Sequence, residues 1–130
     1  MRDSDGYEGA IYLLENGADV NLAVSGDYGS SLVMAASTGN TGMVHLVLEK
    51  GADVNMIVSR KYGSSLVAAA SSGNVYTVQS LLEKGADVHK LVSGEYGSAL
   101  AAAASANSIE IVKLLLQEGA DLNTPLVNAQ

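Results

Sequence analysis

The sequence contains no cysteine, phenylalanine or tryptophan, and only one proline among its 130 residues. Without cysteine, the chain forms neither a disulfide nor a thiolate zinc site. Without the two largest apolar aromatic side chains, its core has to be built mainly from alanine, valine and leucine. Such small aliphatic side chains suit closely spaced helices better than one large globular centre.

Positive charge is also scarce, because seven Lys and Arg stand against fourteen Asp and Glu, for a formal net charge of -7. A surface of this sign repels phosphate, which disfavours nucleic acid and anionic membranes as partners. No apolar run approaches the roughly 18 residues of a membrane span. Residues 1–10 lack the apolar stretch of a signal peptide. We therefore expect a soluble, cytoplasmic protein.

An internal repeat is the strongest positive feature of the sequence. A Gly-Ala-Asp motif begins, 34 residues apart each time, at Gly17, Gly51, Gly85 and Gly119. A Tyr-Gly pair recurs with the same spacing at Tyr28, Tyr62 and Tyr96. The period divides the chain into a half repeat (1–24), three full repeats (25–58, 59–92 and 93–123) and residues 124–130, which start a further helix or form a tail.

Each full repeat is predicted to hold two short helices. In residues 25–58, Ser30 has the side chain of a helix N-cap, and Gly39 and Gly51 end the two helices. The apolar residues fall at i, i+3 and i+4, which gives each helix one buried face. These residues are Leu32, Ala35 and Ala36 in the first helix, and Val44, Val47 and Leu48 in the second. Helices this short are marginal alone, so each pair has to pack on its neighbours.

The same positions are apolar in the other copies. They are Leu66, Ala69, Ala70, Val78, Leu81 and Leu82 in the next repeat, and Leu100, Ala103, Ala104, Val112, Leu115 and Leu116 in the third. The half repeat supplies only a second helix, with Ala10, Leu13 and Leu14. Ala106 replaces the first helix-ending glycine of the third repeat, and we expect Asn107 to adopt the left-handed conformation there.

A loop of about ten residues joins one repeat to the next. It begins with residues that favour extended backbone and ends in a turn, which predicts a projecting, hairpin-like finger. We name these loops the first, second and third fingers (residues 21–29, 55–63 and 89–97).

With these features the sequence resembles the ankyrin repeat family over nearly its whole length. The closing Gly-Ala-Asp-Val-Asn pattern, the Ala-Ala pair and the Val-x-x-Leu-Leu helix all match. The usual Thr-Pro-Leu-His start is replaced by segments such as Ser30-Ser31-Leu32-Val33, so the histidine hydrogen bonds of the family have to be absent or replaced. The repeat is one residue longer than usual, and its style resembles fungal ankyrin arrays, including the sensor arrays of fungal NLR-like receptors.

The resemblance implies an all-α solenoid that binds a protein partner on a concave face formed by fingers and first helices. Carried over residue by residue, it predicts these partner-binding residues: Asp27, Tyr28, Met34, Ile57, Arg60, Lys61, Tyr62, Leu91, Glu95 and Tyr96. On the first helices it also places Ala68 and Ala102 on the exposed side. The repeats differ most at the finger tips, where Arg60-Lys61 lies between Gly26-Asp27 and Gly94-Glu95.

Two interpretations apply to the tyrosines. Tyrosine is a frequent hot-spot residue in interfaces, whereas the constant 34-residue spacing favours a structural ladder in which each ring stacks on the next finger. The apolar finger residues present the same choice. The constant valines, such as Val58 and Val92, are expected to pack, and Met56 and Ile57 to be exposed.

No catalytic, cofactor or metal site is predicted, and we expect the chain not to be an enzyme. His45 and His89 occupy different repeat positions without companion ligands. The recurring Asp19, Asp53, Asp87 and Asp121 occupy a structural turn position. The incomplete repeats at both ends leave two alternatives: a fragment of a longer array, or a homo-oligomer in which copies stack head to tail into a filament.

Overall fold

The computed structural model describes residues 8–21, 29–58 and 61–121. These residues form seven short α-helices and no strand. The helices are α1 (Glu8–Glu15), α2 (Ser31–Ser37), α3 (Thr41–Glu49), α4 (Ser65–Ser72), α5 (Val75–Glu83), α6 (Ala99–Ser105) and α7 (Ile109–Gln117). The predicted all-α class and the helix pairs of the full repeats are confirmed.

Side chains immediately before the helices determine where they begin. The hydroxyl oxygen of Ser30 accepts the backbone N–H of Val33 at 3.1 Å, and Ser64 and Ser98 do the same for α4 and α6. The second helices are capped by Asn40, Asn74 and Ser108. Asn107 has a φ of 59°, which confirms the predicted left-handed conformation after α6.

The helices form two layers. In the first layer α4 packs between α2 and α6, and in the second α5 packs between α3 and α7. Each first helix also packs on the second helix of its own repeat. The core therefore runs between the layers along the array, as nearest-neighbour packing requires.

Alanine side chains make up much of the buried surface of the first layer. Ala36 and Ala70 are fully buried, as predicted, but their equivalent Ala104 is exposed, because a described first helix follows α2 and α4 along the array and none follows α6. The predicted exposure of Ala68 and Ala102 is wrong, since both are fully buried. Both residues lie on first helices that pack against a neighbouring first helix, α4 between α2 and α6, and α6 against α4, and this packing covers them.

The second layer buries Val44, Val47, Val78, Leu81 and Leu115 completely, as the spacing predicts, and leaves Leu48, Leu82 and Leu116 half-buried. In α7 the fully buried partner of Leu115 is Ile111, whereas the predicted Val112 is only half-buried. The helices that carry Val44 and Val78, α3 and α5, are each followed by another described helix of this layer. Helix α7 is not, so less of the Val112 side chain is covered.

Helix α1 differs from the other second helices. Leu14 is buried, but Leu13 is 61% exposed although its repeat equivalent, Val47, is fully buried. The prediction that Leu13 belongs to the buried face is therefore wrong. Val47 lies on α3, which packs on the first helix of its own repeat, α2, whereas no described first helix accompanies α1. The side chain of Ala10 lies outside the described residues.

Polar side chains replace the histidine bonds whose loss the sequence predicts. The hydroxyls of Ser31 and Ser65 donate to the carbonyl oxygens of Val20 and Val54 at 2.8 and 3.0 Å. Each bond joins the start of a first helix to the loop eleven residues earlier. These two serines thus tie the first and second full repeats to the repeat before each, whereas the third full repeat has Ala99 at this position.

Candidate interaction surface on the fingers

The second and third fingers close in the same way. The backbone N–H of Val58 donates to the carbonyl oxygen of Gly63 at 2.9 Å, and Val92 donates to Gly97 at the same distance. Both glycines have a positive φ, 84° and 85°. Because an L side chain is strained in this conformation, glycine is suited to both turns. The predicted finger turns are therefore present, although no strand is formed among the described residues.

The tips of these two fingers contact each other. The rings of Tyr62 and Tyr96 stack with centroids 6.3 Å apart and planes inclined by 15°. The backbone N–H of Glu95 donates to the carbonyl oxygen of Lys61 at 2.8 Å. The predicted stacking is confirmed for this pair, while Tyr28 lies outside the described residues.

Charges of both signs meet at this contact. The Lys61 ammonium lies 5.3 Å from the ring centroid of Tyr62, within cation–π range. The Tyr62 phenol and then the Glu95 carboxylate raise the pKa of Lys61 above its ordinary value of 10.5. Burial, followed by the charge of Glu95, raises the pKa of Tyr96 above 10.0. Lys61 and Glu95 are thus held close together, with both side chains exposed.

Apolar side chains add to the finger surface. Ile57 is 44% exposed and Leu91 is 60% exposed. They occupy equivalent positions of successive repeats, so the array presents them in one row along the fingers. Met56 is half-buried, so only Ile57 of the predicted exposed pair is exposed, and the constant valines pack as predicted, with Val92 buried and Val58 half-buried.

The predicted binding residues fall into three groups. The structure brings Lys61, Tyr62, Glu95 and Tyr96 together at adjoining tips. Ile57 and Leu91 lie on the same fingers, and Met34 is half-buried on α2. Asp27, Tyr28 and Arg60 lie outside the described residues. That these side chains bind a partner stays a prediction.

The recurring aspartates stabilise the turns in which they lie, as predicted. A carboxylate oxygen of Asp19, Asp53 or Asp87 accepts the backbone N–H two residues later, at 2.9 to 3.0 Å. The described residues contain no group of three or more His, Asp or Glu side chains that could hold a metal ion. None of their helices is long and apolar enough to cross a bilayer.

Sequence reasoning missed one feature of the second layer. Two grooves lie between its helices, with volumes of about 260 Å³ between α3 and α5 and about 390 Å³ between α5 and α7. His45 lines the smaller groove, and its Nε2 lies 2.8 Å from the Ser80 hydroxyl. The recurring Leu-Glu pairs at 48–49 and 82–83 are the sequence feature from which these grooves could have been predicted.

Comparison with known proteins agrees with this architecture. No curated protein matches the chain. A family model of three ankyrin repeats matches residues 3–92 and, overlapping with these, residues 32–125. Together the two matches cover almost the whole sequence, including every helix described above. The chain therefore belongs to the ankyrin repeat family.

Proposed function

We propose that this chain is a non-catalytic interaction module that binds a partner protein on the concave face formed by its fingers and first helices. Ankyrin repeats generally mediate protein–protein interaction and are typically not enzymes. The partner meets the tips at Lys61 and Glu95 and the apolar row of Ile57 and Leu91. The proposed surface also includes Met34, which is half-buried on α2.

The contact between the finger tips carries this proposal. The Tyr62–Tyr96 stack and the bond from Glu95 to Lys61 hold two adjacent tips in one arrangement before any partner arrives. A surface that is already ordered loses less conformational entropy on binding. The exposed Ile57 and Leu91 supply apolar area that a partner would cover.

The charges of the tips favour a partner with complementary groups. A carboxylate opposite Lys61, with a basic group beside it opposite Glu95, would match both. Since the charges of Lys61 and Glu95 already offset each other, we expect charge complementarity with the partner to contribute more to specificity than to affinity.

The test is a selection of small binding proteins against the full chain, followed by affinity measurements on two variants. Arg60→Glu with Lys61→Glu reverses the charge of the second finger. Lys50→Glu with Lys113→Glu makes the same charge change away from the fingers. We expect the finger variant to weaken binding by about tenfold or more and the control to change it less than about twofold. Ligands that respond equally to both variants, with circular dichroism unchanged, would reject this face.

Head-to-tail self-assembly is the second candidate, and the exposed Leu13 favours it. A second copy that covered α1 could bury this side chain as Val47 is buried in its own repeat. Sedimentation across a concentration series tests this, with Leu13→Ser as the variant expected to lower any association. A chain that stays monomeric at high concentration rejects it. Membership in a receptor sensor array stays a sequence prediction.

A further inference from the structure

The two grooves of the second layer occupy the same position in successive repeats. The α3–α5 groove is lined by His45, Leu48 and Glu49 on one side and by Ser80, Glu83 and Lys84 on the other. The α5–α7 groove uses the equivalents 34 residues later: Gln79, Leu82 and Glu83 on one side, and Leu114 and Glu118 on the other. They are therefore two versions of one surface feature.

The lining residues of the two grooves differ at three equivalent positions, one of which is His45 in the α3–α5 groove and Gln79 in the α5–α7 groove. Ser80 in the α3–α5 groove corresponds to Leu114 in the α5–α7 groove, and Lys84 corresponds to Glu118. The α5–α7 groove therefore has leucines on both sides, and its charged lining residues, Glu83 and Glu118, are both acidic.

The two carboxylates are not engaged elsewhere in the described part of the chain. Glu83 and Glu118 are exposed, and no side-chain hydrogen bond or ion pair there involves either of them. Leu82 and Leu114 beside them are half-buried. Half-buried leucine side chains thus lie beside two unpaired carboxylates in this groove.

We infer that the α5–α7 groove binds an arginine side chain from a basic segment of a partner protein. The aliphatic stem of an arginine packs on apolar surface while its charged end stays at the solvent boundary. The walls of Leu82 and Leu114 would take the stem, and the carboxylates of Glu83 and Glu118 would accept from the guanidinium. The groove volume of about 390 Å³ leaves room for one such side chain.

The α3–α5 groove serves as an internal reference. Its Lys84 offsets one of its two glutamates, Glu49 and Glu83, and its Ser80 replaces a leucine with a hydroxyl that lies 2.8 Å from His45 Nε2. We expect it to bind arginine poorly. No described finger residue lines the α5–α7 groove, so this site is separate from the residues of the proposed partner face.

The experiment titrates the isotope-labelled full chain with the blocked peptide acetyl-Ser-Ala-Arg-Ser-Ala-Arg-Ser-Ala-amide and records amide shifts. We expect saturable shifts at residues 79–83 and 114–118, and none with the same peptide carrying glutamate in place of arginine. Glu118→Lys places a lysine in this groove at the position that Lys84 occupies in its neighbour. It should weaken binding by about tenfold or more.

A matched variant separates the groove from general attraction between opposite charges. Glu110→Lys makes the same charge change on the exposed side of α7, outside the groove, and should alter affinity less than about twofold. Lys84→Glu should add saturable shifts at residues 45–49, because it removes the one positive charge that lines the α3–α5 groove. Lys61→Glu should leave the titration unchanged, which separates this result from the finger proposal.

Three results would overturn the inference. One is an equal loss of affinity in Glu118→Lys and Glu110→Lys. Another is the same set of shifts at equal concentrations of spermine, which would mark a polyamine site. The third is a set of shifts at the groove that grows with protein concentration in the absence of peptide, because the occupant would then be a second copy of the chain.

Discussion

At the scale of single residues, Gly63 lies where the second and third fingers come closest. Its φ is 84°, and a β-carbon added there would lie 2.5 Å from Cγ2 of Val92 and 2.7 Å from the carbonyl oxygen of Ser93. Both residues of the constant Tyr-Gly pair thus have a physical role at this contact. The tyrosine stacks on the next finger, and the glycine lets the two fingers approach.

We expect Gly63→Ala to lower the free energy of unfolding by about 2 to 4 kcal/mol, from left-handed strain and the clash with Val92 together. Urea unfolding followed by circular dichroism measures the loss. Gly73→Ala is the matched control, because Gly73 has a φ of 79° but an added β-carbon would meet no atom within 4 Å. It should cost only about 1 kcal/mol. Equal losses would show that the finger contact does not constrain position 63.

Tyr96 makes stability depend on pH in the alkaline range. Burial and then the charge of Glu95 raise the pKa of its phenol above 10.0 in the folded chain. Unfolding restores the ordinary pKa, so above about pH 10 the unfolded state releases this proton more readily than the folded state. Its contribution to stability is complete below that pH and is lost as the pH rises toward the folded pKa.

We therefore expect Tyr96→Phe to reduce the slope with which the free energy of unfolding falls above about pH 10. Urea unfolding at several values between about pH 8 and 11 measures that slope. Tyr76→Phe removes one phenol from a side chain that is 68% exposed and serves as the control. The same change in slope for both substitutions would contradict a special environment at Tyr96.

At the scale of elements, asparagines join the loops that follow successive second helices. The Asn55 side-chain amide donates to the carbonyl oxygen of Gly85 at 3.0 Å, and its oxygen accepts the backbone N–H of Asp87 at 2.9 Å. Asn21 makes the same two bonds to Gly51 and Asp53. Each asparagine therefore links two repeats that also meet through their helices.

We expect Asn55→Ala to lower the free energy of unfolding by about 1 to 2 kcal/mol, because two hydrogen bonds between repeats are lost. Asn16→Ala is the control, since the Asn16 side chain donates to Tyr12 within its own helix end. Its effect should be a few tenths of a kcal/mol. Chemical denaturation of both variants gives the comparison, and similar losses would mean that the link between repeats adds no stability of its own.

Features that depend on one repeat were predictable from the sequence. The serine caps, the left-handed Asn107 and the buried pairs such as Val44 and Val47 all follow from local spacing. Each requires only the helical period and the conformational preferences of a few residues.

Features that depend on neighbouring repeats were not predictable in the same way. Leu13 and Val47 occupy the same position in the repeat, yet one is exposed and the other buried, because burial depends on which helices lie beside each one. The α5–α7 groove depends on side chains of two repeats meeting across a helix interface. The period aligns these residues but does not show the space between them.

At the scale of the whole molecule, stability is distributed unevenly along the array. Helix α4 packs between α2 and α6, and all of its residues from Ser65 to Ala70 are buried. Helix α1 buries Leu14 but exposes Tyr12 and Leu13. In a solenoid each repeat is stabilised mainly by its neighbours, so a helix with little buried surface opens separately from the rest.

We expect backbone amides of α1 to exchange with solvent more than about tenfold faster than those of α4 under native conditions, because local opening of α1 exposes little apolar surface. Hydrogen exchange followed by mass spectrometry on peptides covering Glu8–Glu15 and Ser65–Ser72 measures the difference. Leu14→Ala should speed exchange in α1 and leave α4 unchanged. If the substitution instead speeds both helices equally, the array opens as one cooperative unit, and the nearest-neighbour description of its stability is wrong.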